Sequence, residues 1–162
     1  MMDIEIHSFD SLEARARIPF AENSLLISIG DTDAPPPKLL YKPVHMLRLI
    51  FDDITPAEIE ERLEVSLSEF EDEEALAEFL IDNSTSLFDD AMADKIVKFV
   101  YQYHEAARVL ICQCERGESR SAACAAAIAE ALYGNGDRFF KDKRYGLSRF
   151  IYDKLLEAFT HI

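Results

Sequence analysis

A cysteine followed six residues later by an arginine opens the run Cys114-Glu115-Arg116-Gly117-Glu118-Ser119-Arg120-Ser121, which puts a nucleophile and a fixed cation on one short segment. Before it, Arg108 to Gln113 is a nearly continuous apolar run, the pattern of a strand buried on both faces. After it, Ser121 to Leu132 is alanine-rich and apolar around almost its whole circumference, as a buried central helix requires. The segment between is then a tight strand-to-helix turn. Its backbone N–H groups, from Glu115, Arg116, Gly117, Glu118, Ser119 and Arg120, converge on one point. Converging amides at a helix N-terminus bind anions, phosphate among them, before any side chain contributes.

Arg120 adds a full charge and two parallel hydrogen bonds, which lysine would match poorly. The same positive field favours the thiolate of Cys114, the form that attacks phosphorus. Gly117 permits a backbone conformation and a close approach that a side chain would obstruct, and the Ser121 hydroxyl can donate to the sulfur as it leaves. At average residue usage, Gly, Ser, Arg and Ser at these offsets from a given cysteine is a coincidence on the order of one in 10⁵, so the pattern counts as a motif.

Several elements must position this turn. Ile4 and Ile6 alternate with acids as in a short edge strand, and Ser24 to Ile29, ending at Gly30, is a second strand. Asp31 to Pro37, with three consecutive prolines, is a loop that could border a cleft. In Val44 to Phe51, Leu47, Leu49 and Phe51 share one face at period two, giving a third strand that ends at Asp52-Asp53. Thr55 with Glu58 and Pro56, then Ser68 with Glu71, read as capping-box starts for helices over about Pro56–Leu63 and Glu69–Ile81. Amphipathic spacing predicts further helices over Asp89–Glu105 and Ser148–Phe159.

The CxxGxSRS run resembles the CxxxxxR signature loop of the protein tyrosine phosphatases, and is closest to the small dual-specificity-like branch. The resemblance is dense in motif from about Lys95 to Phe159 and extends, through the order of elements, over Ser24 to Asp53. It implies an α/β fold: a single phosphatase-like domain over residues 1–162, with a mostly parallel central sheet flanked by helices. It also implies phosphomonoester hydrolysis through a phosphocysteine, with Cys114 as nucleophile, Arg120 as phosphate clamp and an aspartate from a separate loop as general acid. That chemistry requires no metal and no cofactor. Two features depart from the pattern. Gln113 stands where the family usually has histidine, and an acidic helical insertion, about 54–88, interrupts a connection that is short in small relatives. The insertion covers the cleft, shapes substrate choice, or is a solvated decoration.

The third strand leads into Asp52-Asp53. Because Asp53 continues the face of Leu47, Leu49 and Phe51, it is the preferred acid, with Asp52 as alternative and Asp82, Asp89 or Asp90 behind them. Asp53 could instead serve only the N-terminus of the helix capped by Thr55.

The chain of 162 residues carries a net charge of −14, concentrated in Asp52 to Asp94, where 16 acids and one base give −15 and leave +1 for the rest. Such a charge disfavours nucleic acid and anionic membrane surfaces. Met1 to Asp10 does not read as a secretory signal, no segment approaches the roughly 20 apolar residues of a membrane span, and the cysteines are odd in number. A cytoplasmic protein with reduced Cys112, Cys114 and Cys124 is expected. Cys112 and Cys114 lack the second pair or clustered histidines of a zinc site, and Cys112 reads as core. The expected partner is a phosphorylated protein or small phosphomonoester. Glu115 and Glu118 make a polyanionic phosphoinositide less attractive. A phosphate-binding module without turnover, and thiol chemistry on another oxyanion such as arsenate reduction or sulfur transfer, stay open as alternatives.

Overall fold

Four strands, β1 (Asp3–His7), β2 (Ser24–Gly30), β3 (His45–Ile50) and β4 (Val109–Gln113), form one sheet in the order β1-β4-β2-β3, with every neighbouring pair parallel. The computed structural model describes residues 1–161. Parallel neighbours need crossovers, and the helices supply them: α1 (Phe9–Arg15), α2 (Pro56–Leu63), α3 (Glu73–Asp82), α4 (Asp90–Tyr103), α5 (Arg120–Tyr133), α6 (Asp137–Lys141) and α7 (Arg149–Thr160). The sheet is wholly parallel rather than mostly so.

The two faces of the sheet are unequal. Leu25, Ile27 and Ile29 of β2, Leu49 of β3 and Leu110 and Cys112 of β4 point into the main core, where α4, α5 and α7 pack over them. The opposite face is covered thinly, by Leu12 of α1 on Leu26 and Ile111. β2 is buried along its whole length, as a central strand must be. Helix α5 is buried from Arg120 to Ala129; its alanines let it lie close against the sheet, and Gly134, at φ 68°, ends it in the left-handed conformation.

The insertion is not merely solvated. Ile54, Ile59 and Leu80 form a small core of their own with Leu63, Leu67, Leu76, Phe79 and Leu87. Thr55 and Glu58 close the expected capping box of α2, with Pro56 at its start. The second expected helix differs. A 3-10 turn over Leu67–Glu69 comes first, and α3 starts at Glu73 because the Asp72 carboxylate, not the Ser68 hydroxyl, takes the free amide of Ala75. Ser68 hydrogen-bonds Ser66 instead. Lys154 of α7 reaches Asp90 at 2.8 Å and Glu73 at 3.9 Å, which ties the insertion to the last helix. Among the described residues no helix is long and apolar enough to cross a membrane.

Candidate active site

β4 ends at Gln113, α5 begins at Arg120, and the intervening loop folds back over Cys114. Cys114 Sγ accepts the Gly117 amide at 3.3 Å and lies 3.1 Å from Ser121 Oγ. The Gly117 amide and the Ser121 hydroxyl, which can donate when the sulfur is a thiolate, thus converge on a residue that is only 2% exposed. The Cys114 amide is bound to the His7 carbonyl at the end of β1, and the Phe9 amide to the Glu115 carbonyl, so the edge strand and α1 brace the loop from outside. Among the described residues, from Glu115 to Arg120 the Gly117 amide alone has a protein acceptor; those of Glu115, Arg116, Glu118, Ser119 and Arg120 are open to an anion.

Gly117 sits at φ +69°, and a Cβ there would come within 2.6 Å of the Ser8 amide nitrogen and 2.8 Å of the His7 carbonyl carbon. Both obstacles are backbone. Gly117→Ala is therefore expected to destabilise the protein by about 2–5 kcal/mol, from left-handed strain plus overpacking, read as a lower urea midpoint.

Arg120 is buried, and its Nη1 donates to the Phe51 carbonyl at 2.8 Å and pairs with Asp31 Oδ1 at 2.7 Å. Both partners sit on one end of the guanidinium. Nε and Nη2 have no acceptor among the described residues, which leaves one edge of the fork, on a residue that lines the cavity, for a bidentate anion. Asp31, on the loop after β2, is a site residue that sequence reasoning left in a loop that could border a cleft. Its only signal was its position at the carboxyl end of a central strand, where parallel sheets gather their ligands.

A small cavity of about 150 Å³ joins the pieces: Cys114, Arg116, Glu118, Ser119 and Arg120 of the loop line it together with Asp53 and Gly146. Gly146 was not foreseen; its amide donates to the Glu118 carbonyl at 3.0 Å and fastens the α6–α7 loop to the signature loop. Asp53 is exposed and lines the same cavity as Cys114. Asp52 turns away. Its carboxylate accepts the Thr32 amide at 2.9 Å, Thr32 Oγ1 at 2.8 Å, the Ser86 amide at 2.9 Å and Thr85 Oγ1 at 3.3 Å. Burial pushes the Asp52 carboxyl up, but the hydrogen bonds from Thr32, Ser86 and Thr85 outweigh it and hold the group below its ordinary value. The stability it contributes is therefore present at neutral pH and fades as pH falls through that lowered value. Asp82, Asp89 and Asp90 are not on the cavity wall: Asp89 caps α4 through the Met92 amide, and Asp90 pairs with Lys154.

Cys112 and Cys124 are fully buried thiols in the core beside Cys114. Burial pushes both well above the ordinary thiol value, and the neighbouring sulfurs add to it. Among the described residues no group of three His, Cys, Asp or Glu side chains is placed to hold a metal ion.

No family model matches the sequence, and no curated protein matches it. Solved structures do match the fold. The crystal structure of PTPMT1 aligns with a TM-score of 0.51 at 13% identity, covering 98% of this chain and 90% of that one. DUSP15 aligns at 0.52 and 15% identity, over 98% of this chain and 84% of that one. Tk-PTP in its active form aligns at 0.50 and 13%, over 100% and 95%. Together with the all-parallel sheet and the loop between β4 and α5, these alignments give the chain the fold of the cysteine-dependent, dual-specificity-like protein tyrosine phosphatases.

Proposed function

We propose that this protein hydrolyses phosphomonoesters through a phosphocysteine intermediate. The observation that carries the reading is the convergence on one cavity of the Cys114 sulfur, the free loop amides, the open edge of Arg120 and the carboxylate of Asp53. In the first step the Cys114 thiolate forms an S–P bond while the ester P–O bond breaks, and Asp53 gives its proton to the departing oxygen. In the second, Asp53 takes a proton from water as its oxygen attacks phosphorus. The sulfur leaves as a thiolate, received by the Gly117 amide and the Ser121 hydroxyl. The amides of Glu115 to Arg120 and the Arg120 fork hold the phosphoryl oxygens throughout. A phosphorylated protein, phosphotyrosine included, suits a cavity lined by the exposed Glu118, with the exposed Glu115 on the same loop.

The test is hydrolysis of p-nitrophenyl phosphate in the presence of a chelator, with a bell-shaped pH profile and an initial burst of nitrophenol equal to the enzyme present. Asp53→Asn should lower kcat about 100-fold and remove the alkaline limb of the profile. Asp52→Asn should instead lower stability by about 1–3 kcal/mol, because one oxygen's acceptors become donors facing donors. A larger kcat loss from Asp52→Asn than from Asp53→Asn, measured well below the melting temperature, would reverse the assignment.

A further inference from the structure

Polar side chains interrupt three neighbouring strands of the sheet at one level. In the register, Ser28 of β2 stands opposite Gln113 of β4 on one side and Arg48 of β3 on the other. Parallel partners at one level point to the same face, so the three side chains form a row across the thinly covered face. Every bond in the row runs the same way. Arg48 Nη1 donates to Ser28 Oγ at 2.8 Å, Ser28 Oγ donates to Gln113 Oε1 at 2.5 Å, and Gln113 Nε2 donates to the Cys114 carbonyl at 3.0 Å. Gln113 and Ser28 are buried, at 1% and 5% exposure. Arg48 at the head of the row is half-buried while the two bonds that follow lie in the interior, so the aligned donors polarise one another with their positive ends toward residue 114.

The guanidinium at the head of the row is held deliberately close. A Cβ on Gly30 would meet Arg48 Cζ at 2.8 Å, so the strand end leaves room for this group alone. Burial and repulsion from Arg120 push Arg48 below its ordinary value, with Asp31 opposing them, but a guanidinium stays charged at any physiological pH. Two cations, Arg48 and Arg120, thus act on one site, with the Asp31 carboxylate paired to Arg120.

We propose that Arg48 and Ser28 are positioning residues for the catalytic loop, delivering through Gln113 to the Cys114 carbonyl the positive charge that a histidine at position 113 would carry itself. The inference rests on the reading of Cys114 as nucleophile. The row also fixes the Cys114 carbonyl, and with it the turn that follows. The other charged groups around the sulfur are Arg120 of α5, Asp53 of the loop after β3, Arg116 and Glu118 of the cavity wall, and Asp31 on Arg120. Cys112 of β4 and Cys124 of α5 are neutral, and His7 of β1 is engaged by Ser11 and Glu5.

The experiment measures alkylation of Cys114 by iodoacetamide in the full chain, resolved by mass spectrometry. The quantity read is the ratio of its rate at about pH 6 to that at about pH 9, which cancels changes in access and isolates the thiolate fraction. Arg48→Met should lower the ratio about 10-fold, Ser28→Ala should lower it less, and Arg48→Lys should keep most of it. Gln113→His placed on top of Arg48→Met should restore the ratio, which a merely structural role for Arg48 would not allow. An unchanged ratio in Ser28→Ala and Arg48→Met, or no recovery in the double variant, overturns the proposal. Should Arg48→Met fail to fold by circular dichroism, Ser28→Ala decides alone. Alkylation needs no phosphatase turnover, so a parent protein inactive on phosphomonoesters but showing these ratios would sink the proposed reaction and leave the relay standing.

Discussion

Cys114→Ser is expected to abolish turnover of p-nitrophenyl phosphate, with a fall of about 10⁴-fold or more, and to leave the fold and anion binding in place. A serine hydroxyl is un-ionised at neutral pH, so the Gly117 amide and Ser121 hydroxyl, 3.3 and 3.1 Å from the sulfur, have no anionic nucleophile to stabilise. The substitution is nearly isosteric in a buried position, and the free amides of the loop are untouched. Phenyl phosphate should therefore bind the variant at least as tightly as the parent, read by calorimetry. Residual turnover within 100-fold of the parent would remove Cys114 from the reaction.

The second large effect belongs to Arg120. Arg120→Lys is expected to lower kcat/KM by about 10²–10³-fold, or about 3–4 kcal/mol, with both a raised KM and a lowered kcat. The reason is geometric. The arginine uses Nη1 for Phe51 and Asp31 at 2.8 and 2.7 Å and keeps a second edge for phosphate, whereas a lysine has one nitrogen for all three. Either the ammonium stays with Asp31 and the phosphate loses its clamp, or it turns to phosphate and strands a buried carbonyl. A kcat/KM within threefold of the parent would show that phosphate is held elsewhere.

The signature loop was legible in the sequence because its parts are contiguous: an apolar strand, a turn of fixed composition and an alanine-rich helix adjoin one another. The strands β2 and β3 were legible for the same reason, each being a short apolar run with clear ends. Asp53 could be ranked ahead of Asp52 from period-two alternation, and the cavity places Asp53 beside Cys114. The polar row was not legible. Ser28, Arg48 and Gln113 are separated by tens of residues, and only the order β4-β2-β3 and its register make them neighbours. Asp31 was hidden likewise, since its meaning depends on Arg120 reaching it from another element. Helices α1 and α6 were missed because seven and five residues give too little periodicity to detect. At Ser68 and Asp72 two capping patterns competed, and the carboxylate, the stronger acceptor, took the helix start.

In the proposed reaction Asp52 acts on timing rather than on chemistry. Its four hydrogen bonds pin the loop after β2, the exit of the insertion and the turn that carries Asp53 to one another. A proton donor on an untethered loop would have to be brought to the leaving oxygen in every cycle, and the lost freedom would appear in the activation barrier. Here the tether is complete before any ester arrives. In the proposed reaction the entropy of holding Asp53 near the sulfur would be surrendered once, when the chain folds, and each later turnover would begin with it already spent.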